Sequence, residues 1–284
     1  MAFLINKIKK RVKRTLAKYV EPEHANTQQQ NINVVEQYVT EKPNPQNALD
    51  IFQGEWSSKL PESEPQLKAG TVALFNDSRL EWAVEQLGGV QGQNILELGP
   101  LEGGHSYMLE KFGAQKVIAI EANTRAYLRC LISKEIFALK QVEFLCGDFI
   151  EYLRDNETKF DVCIASGVLY HMRNPVELIE LISKASDKVY FWTHYYDSSS
   201  PLAHRFSEGE TQEYAGFKHK LYRQEYGAAV FWGGFCGGSK MYSNWMSRDD
   251  ILGCLKHFGF KNVAIDFEAP NHQNGPSFAF TATR

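Results

Sequence analysis

The fold is decided by residues 94–104, which read Asn-Ile-Leu-Glu-Leu-Gly-Pro-Leu-Glu-Gly-Gly. The first five residues form a short apolar run of the kind that is typical of a buried strand. The glycines after it let the backbone turn tightly and approach a ligand closely. A helix predicted from Gly104 to Phe112 would direct its free amide groups at the same loop. This stretch therefore predicts a strand, a loop able to bind a ligand, and a helix.

Further apolar runs follow and alternate with segments of helical pattern. The runs that we predict to be strands are 116–121, 142–146, 160–165 and 188–193. Residues 174–177, Asn-Pro-Val-Glu, place a cap, a first-turn proline and a glutamate in the order that opens a helix. Alternating strands and helices predict a parallel, doubly wound sheet. Two final strands at 262–267 and 278–283, joined by a turn with Asn and Gly, predict a hairpin.

The N-terminal part of the chain differs in composition from the rest. Apolar residues recur at every fourth position, at Leu4, Ile8, Val12, Leu16 and Val20. Seven Lys and Arg residues and no acidic residue lie among them, which predicts a basic amphipathic helix over 1–20. A polar linker rich in Gln and Asn follows to residue 48. We therefore predict one main domain over 49–284, with an irregular substrate lid at about 195–246 and a hinged glycine-rich loop at 232–238.

The bulk composition excludes several classes of protein. The chain is 43% hydrophobic and 23% charged, as is typical of soluble globular proteins. It has no apolar run long enough for a membrane span, and no apolar segment of a secretory signal after the basic stretch. Its five cysteines lack Cys-x-x-Cys spacing, which indicates a reduced, cytoplasmic protein without disulfides. We predict no metal site, because no compact ligand spacing occurs.

Charge is distributed unevenly along the chain. The net charge is −3, so the chain beyond the seven N-terminal cations carries about −10. An acidic body argues against a broad nucleic-acid surface. The basic helix suits an anionic membrane surface, which predicts a peripheral membrane contact through residues 1–20. The alternative is that this segment packs on the body or stays disordered, and the sequence gives no prediction of the oligomeric state.

Acidic residues lie at the ends of the second and third predicted strands. In a doubly wound sheet a ligand binds at the carboxyl ends of the strands. Glu121 ends the second strand, where a carboxylate can accept hydrogen bonds from both hydroxyls of a ribose. Asp148 follows the third strand and can accept a hydrogen bond from an adenine amino group, while Phe149 packs on the ring. Alternatively, Asp148 only caps the helix that follows.

This combination resembles the class I S-adenosylmethionine-dependent methyltransferases over about residues 75–284. Their pattern appears here as Glu97-Leu98-Gly99, Glu121, Gly147-Asp148 and the last strand. The resemblance implies an α/β fold, with a Rossmann-like, doubly wound, seven-stranded, mostly parallel sheet and an antiparallel last strand, and S-adenosylmethionine as cofactor. The cofactor contacts that it implies are Glu97, Gly99, Pro100, Leu101, Gly103, Glu121, Ala122, Asp148, Phe149 and Ser166. Leu101 stands where the family often has a second glycine, so the loop is expected to be tighter or shifted.

A closer resemblance follows the fourth strand. Residues 167–171, Gly-Val-Leu-Tyr-His, are similar to a segment of the bacterial tRNA wobble-uridine carboxymethyltransferases, and Glu55-Trp56 resembles a segment before the domain in that group. An oxygen or nitrogen acceptor can require a general base. His171 is our first candidate for that base, with Tyr170 orienting the acceptor. His194, at the end of the fifth strand, is the second candidate.

We interpret the chain as a methyltransferase acting on a small-molecule or glycan-type acceptor. The aromatic and cationic side chains of the lid suit a polar organic substrate. A tRNA-modifying methyl- or carboxymethyltransferase and a non-catalytic binding module are the alternatives. Met172 stands where the carboxymethyltransferases carry an arginine, which favours an unmodified methyl donor. A dehydrogenase is disfavoured, because the loop lacks Gly-x-Gly-x-x-Gly and Glu102 would repel a phosphate.

Overall fold

The computed structural model of the chain describes residues 38–227 and 238–284. The basic helix predicted at 1–20 and nearly all of the glycine-rich loop at 232–238 lie outside these residues, so both stay predictions. The compact body extends from Lys42 to Arg284. Within the described residues, no helix combines the length and the apolar character that crossing a bilayer requires.

The described residues of the body form ten strands in two sheets. In chain order they are β1 (Asn94–Leu98), β2 (Lys116–Glu121), β3 (Val142–Cys146), β4 (Val162–Ser166), β5 (Lys188–His194), β6 (Phe206–Tyr214), β7 (Phe217–Glu225), β8 (Tyr242–Trp245), β9 (Asn262–Ala269) and β10 (Ser277–Thr283). The main sheet has seven strands in the order β3-β2-β1-β4-β5-β10-β9. Strands β1 to β5 pair in parallel, and β10 is antiparallel to both of its neighbours. The predicted sheet with an antiparallel last strand is confirmed.

Seven α-helices in the described part of the chain connect or flank these strands. They are α1 (Pro45–Asp50), α2 (Ser78–Gln86), α3 (Gly104–Lys111), α4 (Thr124–Ile136), α5 (Phe149–Asp155), α6 (Pro175–Ala185) and α7 (Arg248–His257). Most begin at a side chain that accepts a hydrogen bond from an amide of the first turn. The caps of this kind include Asp77, Asn123, Asp148, Asn174 and Ser247.

Two apolar clusters form the core, one on each face of the main sheet. Successive residues of a strand point to opposite faces, so Leu96 belongs to one cluster and Ile95 to the other. Helices α5, α6 and α7 contribute to the first cluster, and α2, α3 and α4 to the second. The buried strands therefore carry nearly continuous apolar runs, which is why the sequence predicts them.

The segment that we predicted as a lid, at about 195–246, is called the insert below. It is more regular than predicted. Residues 206–245 contain a three-stranded antiparallel sheet in the order β6-β7-β8. A two-residue turn, Ala215-Gly216, joins β6 to β7 with positive φ angles of 46° and 79°, as hairpin turns favour. Most residues of β6 are exposed, so no alternation of apolar and polar residues marks it. The prediction that this part of the lid is irregular is therefore wrong, because its residues form a sheet.

Helix α1 begins inside the segment that we interpreted as linker. The Asn44 side chain accepts from the Asn47 amide and Pro45 occupies the first turn, a combination that starts a helix. The Gln46 side chain donates a hydrogen bond to the Lys68 carbonyl oxygen and accepts one from the Lys68 backbone amide. The body therefore begins a few residues before the boundary at residue 49.

Candidate active site

A cavity of about 830 Å³ lies at the carboxyl ends of β1, β2 and β4. Strand order reverses between β1 and β4, which is where open α/β sheets bind their ligands. Ten of the predicted site residues line the cavity: Glu97, Gly99, Pro100, Leu101, Glu121, Ala122, Phe149, Ser166, Tyr170 and His171. The sheet thus brings most of the predicted cofactor and acceptor residues into one space.

The loop after β1 leaves room for a ligand because of its backbone conformation. Gly99 has a φ of 65°, and a Cβ there would lie 2.6 Å from Val168 Cγ1, so a side chain is excluded. Leu101 adopts a φ of 57°, the conformation that favours glycine, at a cost of roughly 1–2 kcal/mol. Leu101 therefore takes the conformation that the missing second glycine would have supplied. Gly103 caps α3 and does not line the cavity.

Glu121 is a buried carboxylate at the end of β2. Its Oε1 accepts a hydrogen bond from the Asn123 amide at 2.8 Å, and its Oε2 accepts one from the Leu101 amide at 3.1 Å. Burial raises the pKa of Glu121, and these amide hydrogen bonds oppose that rise. Each oxygen of a carboxylate has a second acceptor site, so Glu121 can still receive two hydroxyl donors. That arrangement fits a ribose diol.

Glu97 lies at the floor of the cavity, near the end of β1. Its side chain is buried and accepts a hydrogen bond from the Ser106 hydroxyl. Burial raises the pKa of Glu97, while His105 and Ser106 oppose the rise. A carboxylate that is short of solvent is stabilised by a cationic group beside it. Glu97 therefore suits the ammonium end of an amino-acid ligand.

Arg79, His105 and Asp77 form a network that the sequence analysis missed. The Asp77 carboxylate accepts hydrogen bonds from Arg79 Nη2 at 2.6 Å and from His105 Nε2 at 2.9 Å. Burial alone would raise the pKa of Asp77, but these two donors outweigh it and hold the pKa below its usual range. Arg79 and His105 line the cavity, and the Arg79 guanidinium lies 4.7 Å from the Trp192 ring centroid. The network fixes a cation on the cavity wall.

Tyr170 and His171 lie on a single helical turn, Leu169–His171, directly after β4. His171 Nδ1 is 2.9 Å from the hydroxyl oxygen of Tyr226, which follows β7. Burial, with a smaller contribution from nearby His194, lowers the pKa of His171 to about 3. His171 is therefore neutral at physiological pH. It is better suited to form hydrogen bonds than to act as a base that retains a proton.

The second base candidate, His194, lies behind Tyr170 and does not line the cavity. Its Nδ1 is 2.8 Å from the Gly275 carbonyl oxygen, so Nδ1 must carry the proton that is donated there. The ring stacks on Trp245, with centroids 5.3 Å apart, and the Tyr170 ring lies 4.7 Å away. Burial lowers the pKa of His194, and its carbonyl contacts oppose that effect. This histidine can support Tyr170 from behind.

Asp148 is placed differently from our prediction of an adenine contact. Its side chain is exposed and accepts the Ile150 amide at 2.8 Å, which caps α5. It does not line the cavity, whereas Phe149 does. The capping alternative describes the observed position, because the first amides of α5 need an acceptor.

Residues 55–58, which we call the N-terminal strap, are attached to the loop after β1 by a buried ion-pair network. The Glu102 carboxylate, fully buried, accepts hydrogen bonds from the Ser57 and Ser58 amides at 2.8 and 2.7 Å. Arg129 Nε lies 3.2 Å from Glu102, and Arg129 also contacts Glu55. Glu102 therefore faces the strap and does not line the cavity. This network gives the Glu55-Trp56 segment its structural role.

Comparison with known proteins identifies related domains. A family model described as a methyltransferase domain matches residues 90–245, which is more than half of the 284 residues. A curated tRNA U34 carboxymethyltransferase from Campylobacter hominis is 24% identical over 116 residues. That match spans 40% of this chain and 40% of the relative's length.

Several solved structures share the fold. The N-terminal domain of EvdMO1, in the presence of SAH and D-fucose, has a TM-score of 0.65 at 20% identity, covering 84% of this chain and 94% of that one. A Burkholderia thailandensis 1,6-didemethyltoxoflavin-N1-methyltransferase, with bound 1,6-didemethyltoxoflavin and S-adenosylhomocysteine, has a TM-score of 0.51 at 14% identity. It covers 75% of this chain and 78% of its own. These likenesses establish a common architecture.

Proposed function

Because this chain belongs to the methyltransferase-domain family, we propose that it transfers a methyl group from S-adenosylmethionine to a hydroxyl of a small, glycan-type acceptor. The observation that carries the proposal is the cavity. Its volume of about 830 Å³ lies in the upper part of the roughly 300–1,000 Å³ typical of small-molecule sites. That space suits a nucleoside cofactor together with a small acceptor.

The residues of the cavity fit the chemical groups of the cofactor. S-adenosylmethionine, when bound, supplies the methyl group from a positively charged sulfonium. Glu121 would accept hydrogen bonds from its ribose, and Phe149 offers an apolar surface to its adenine. Glu97 would face the amino group of its methionine part, and Arg79 its carboxylate. The position of Gly99 on the cavity wall supports this assignment, because a glycine lets a ligand approach the backbone closely.

The other side of the cavity has the character of an acceptor site. Tyr170 and Trp192 provide aromatic surfaces, on which the apolar face of a sugar ring can pack. Neutral His171 would accept a hydrogen bond from the acceptor hydroxyl and so direct its oxygen at the methyl group. As the oxygen–carbon bond forms and the sulfur–carbon bond breaks, the hydroxyl proton leaves. With a pKa of about 3, His171 would pass that proton on to water and not retain it.

Two further observations support a small acceptor over tRNA. The structure of EvdMO1 was described in the presence of a free sugar, D-fucose, and has the same architecture. The chain beyond its first 20 residues carries a charge of about −10, which opposes contact with an extended phosphate backbone. The relative that acts on tRNA matches only 40% of the chain, so its substrate is the alternative to be tested.

Transfer of a labelled methyl group tests the proposal. The full chain is incubated with S-adenosylmethionine carrying a tritiated methyl group and with D-fucose, other free hexoses or bulk tRNA in separate reactions. We expect label in a sugar methyl ether, and much less label with a Glu121→Gln variant when the cofactor concentration is below its Kd. Label in tRNA, or a requirement for a carboxylated cofactor, would contradict the small-acceptor proposal. Absence of S-adenosylhomocysteine binding by calorimetry would instead indicate a non-catalytic module.

A further inference from the structure

We propose that Tyr226 is a positioning residue for methyl transfer, which fixes the proton of His171 on Nδ1 and leaves Nε2 as a hydrogen-bond acceptor for the substrate. This inference rests on the proposed function of His171. It assigns a role to a residue of the insert that neither the family pattern nor the local sequence marks.

The contact joins two distant parts of the chain at the cavity. Tyr226 follows β7, and its amide donates to the Met241 carbonyl at 2.9 Å, so the end of the insert sheet holds its backbone. Its hydroxyl oxygen lies 2.9 Å from His171 Nδ1. Residues 238–241, which lead into β8, line the same cavity as His171. The insert therefore forms part of the cavity wall and also contacts His171.

The backbone that carries His171 is held by strand β8 and by the residue that begins the described segment before it. The Asn244 amide of β8 donates to the Met172 carbonyl at 2.8 Å, which ties β8 to the turn that carries His171. A Cβ on Gly238 would lie 3.1 Å from the His171 carbonyl oxygen, so the insert also packs closely against its backbone. Tyr226 thus contacts the side chain of a residue whose backbone is held by the same segment of the chain.

The position of one proton decides what His171 can do. In a neutral imidazole one nitrogen carries a hydrogen and the other is an acceptor, and the partner of one nitrogen sets the state of the other. If Nδ1 donates to Tyr226, Nε2 can accept from a substrate hydroxyl and leave its oxygen lone pairs free for the methyl group. If Tyr226 donates to Nδ1, Nε2 carries the hydrogen and would occupy one of those lone pairs. Only the first state orients a nucleophile.

Imidazole NMR of isotope-labelled protein in the S-adenosylhomocysteine complex tests the inference without any acceptor. The His171 signals are assigned by their loss in a His171→Gln variant. We expect the wild-type proton on Nδ1, and a mixture of tautomers in Tyr226→Phe. Tyr222→Phe, which removes a hydroxyl from the strand that precedes Tyr226, should leave the signals unchanged. A proton on Nε2 in the wild type, or an unchanged tautomer in Tyr226→Phe, would overturn the proposal even if the variants differ in stability.

Kinetics with the sugar that is methylated in the assay above provide a second test. Tyr226→Phe should lower kcat about fivefold to tenfold, as expected for one lost hydrogen bond, without changing the KM for S-adenosylmethionine. In a His171→Gln background the same change should have no further effect. An additive loss in the double variant would mean that Tyr226 acts independently of His171. If no sugar is methylated, the proposed function fails, while the NMR result still decides the tautomer.

Discussion

Replacement of Glu121 by glutamine tests the assignment of the cofactor site most directly. Both carboxylate oxygens already accept a backbone amide, at 2.8 Å from Asn123 and 3.1 Å from Leu101. The ribose hydroxyls would therefore be additional donors to a charged, buried acceptor. Hydrogen bonds to charged groups contribute roughly 1.5–3 kcal/mol each. Loss of at least one such bond should raise the Kd for S-adenosylhomocysteine roughly tenfold to 150-fold.

Asp148→Asn is the matched control, because it makes the same chemical change at the next strand end. Asparagine caps helices about as well as aspartate, so α5 should be unaffected. Asp148 is exposed and does not line the cavity, so we expect a change in affinity of less than about twofold. Both variants differ from wild type by one amide group, which makes their affinities directly comparable.

Isothermal titration with S-adenosylhomocysteine measures both effects, and circular dichroism checks that each variant is folded. Unchanged affinity in Glu121→Gln would refute the ribose assignment. Equal weakening in Asp148→Asn would mean that the exposed carboxylate contacts the adenine after all, and that α5 shifts when the cofactor binds. Weakening confined to Glu121→Gln is the result that the geometry predicts.

Two further predictions concern stability. Arg129→Met leaves the fully buried Glu102 carboxylate without its cationic partner, so urea denaturation should show a loss of about 3–5 kcal/mol. Arg154→Met, at an exposed pair, should cost less than about 1 kcal/mol, and similar losses in both variants would contradict the network's role. The second prediction follows from the folded-state pKa of His171, about 3, which lies below the unfolded value. The unfolded chain then binds the proton first as the pH falls below about 6.5, so His171 should remove about 2 kcal/mol of stability by pH 5. His171→Asn should reduce the fall in unfolding free energy between neutral pH and pH 5, and an equally steep fall would show that other groups cause it.

The central strands could be predicted because burial on both faces leaves a local signature. The run Val162–Ala165 is apolar throughout, and so is most of β1. Strand β6 has no such signature, because most of its side chains are exposed and only its pairing with β7 makes it a strand. Local pattern thus predicts a strand where burial selects the residues, and fails where pairing with a distant segment decides.

The same contrast between local sequence pattern and tertiary packing applies to the residues of the site. Glu121 and Asp148 both stand at strand ends, and the sequence could not tell that one faces the cavity while the other caps a helix. Arg79 lines the cavity and Tyr226 contacts His171, and both come from segments remote from the loop after β1. Their positions depend on tertiary packing, so neighbouring residues carry no signal for them.

The N-terminal strap lies outside the segment that the family model matches but inside the compact body. The family model begins at residue 90, whereas the two amides that donate hydrogen bonds to the Glu102 carboxylate come from Ser57 and Ser58. A fragment cut at the matched limits would bury a carboxylate without those donors or expose the loop that carries it. It would also lack β9 and β10, and so one edge of the main sheet. Excised fragments, chimeras and grafted loops of this enzyme therefore have to start upstream of the strap, near Lys42.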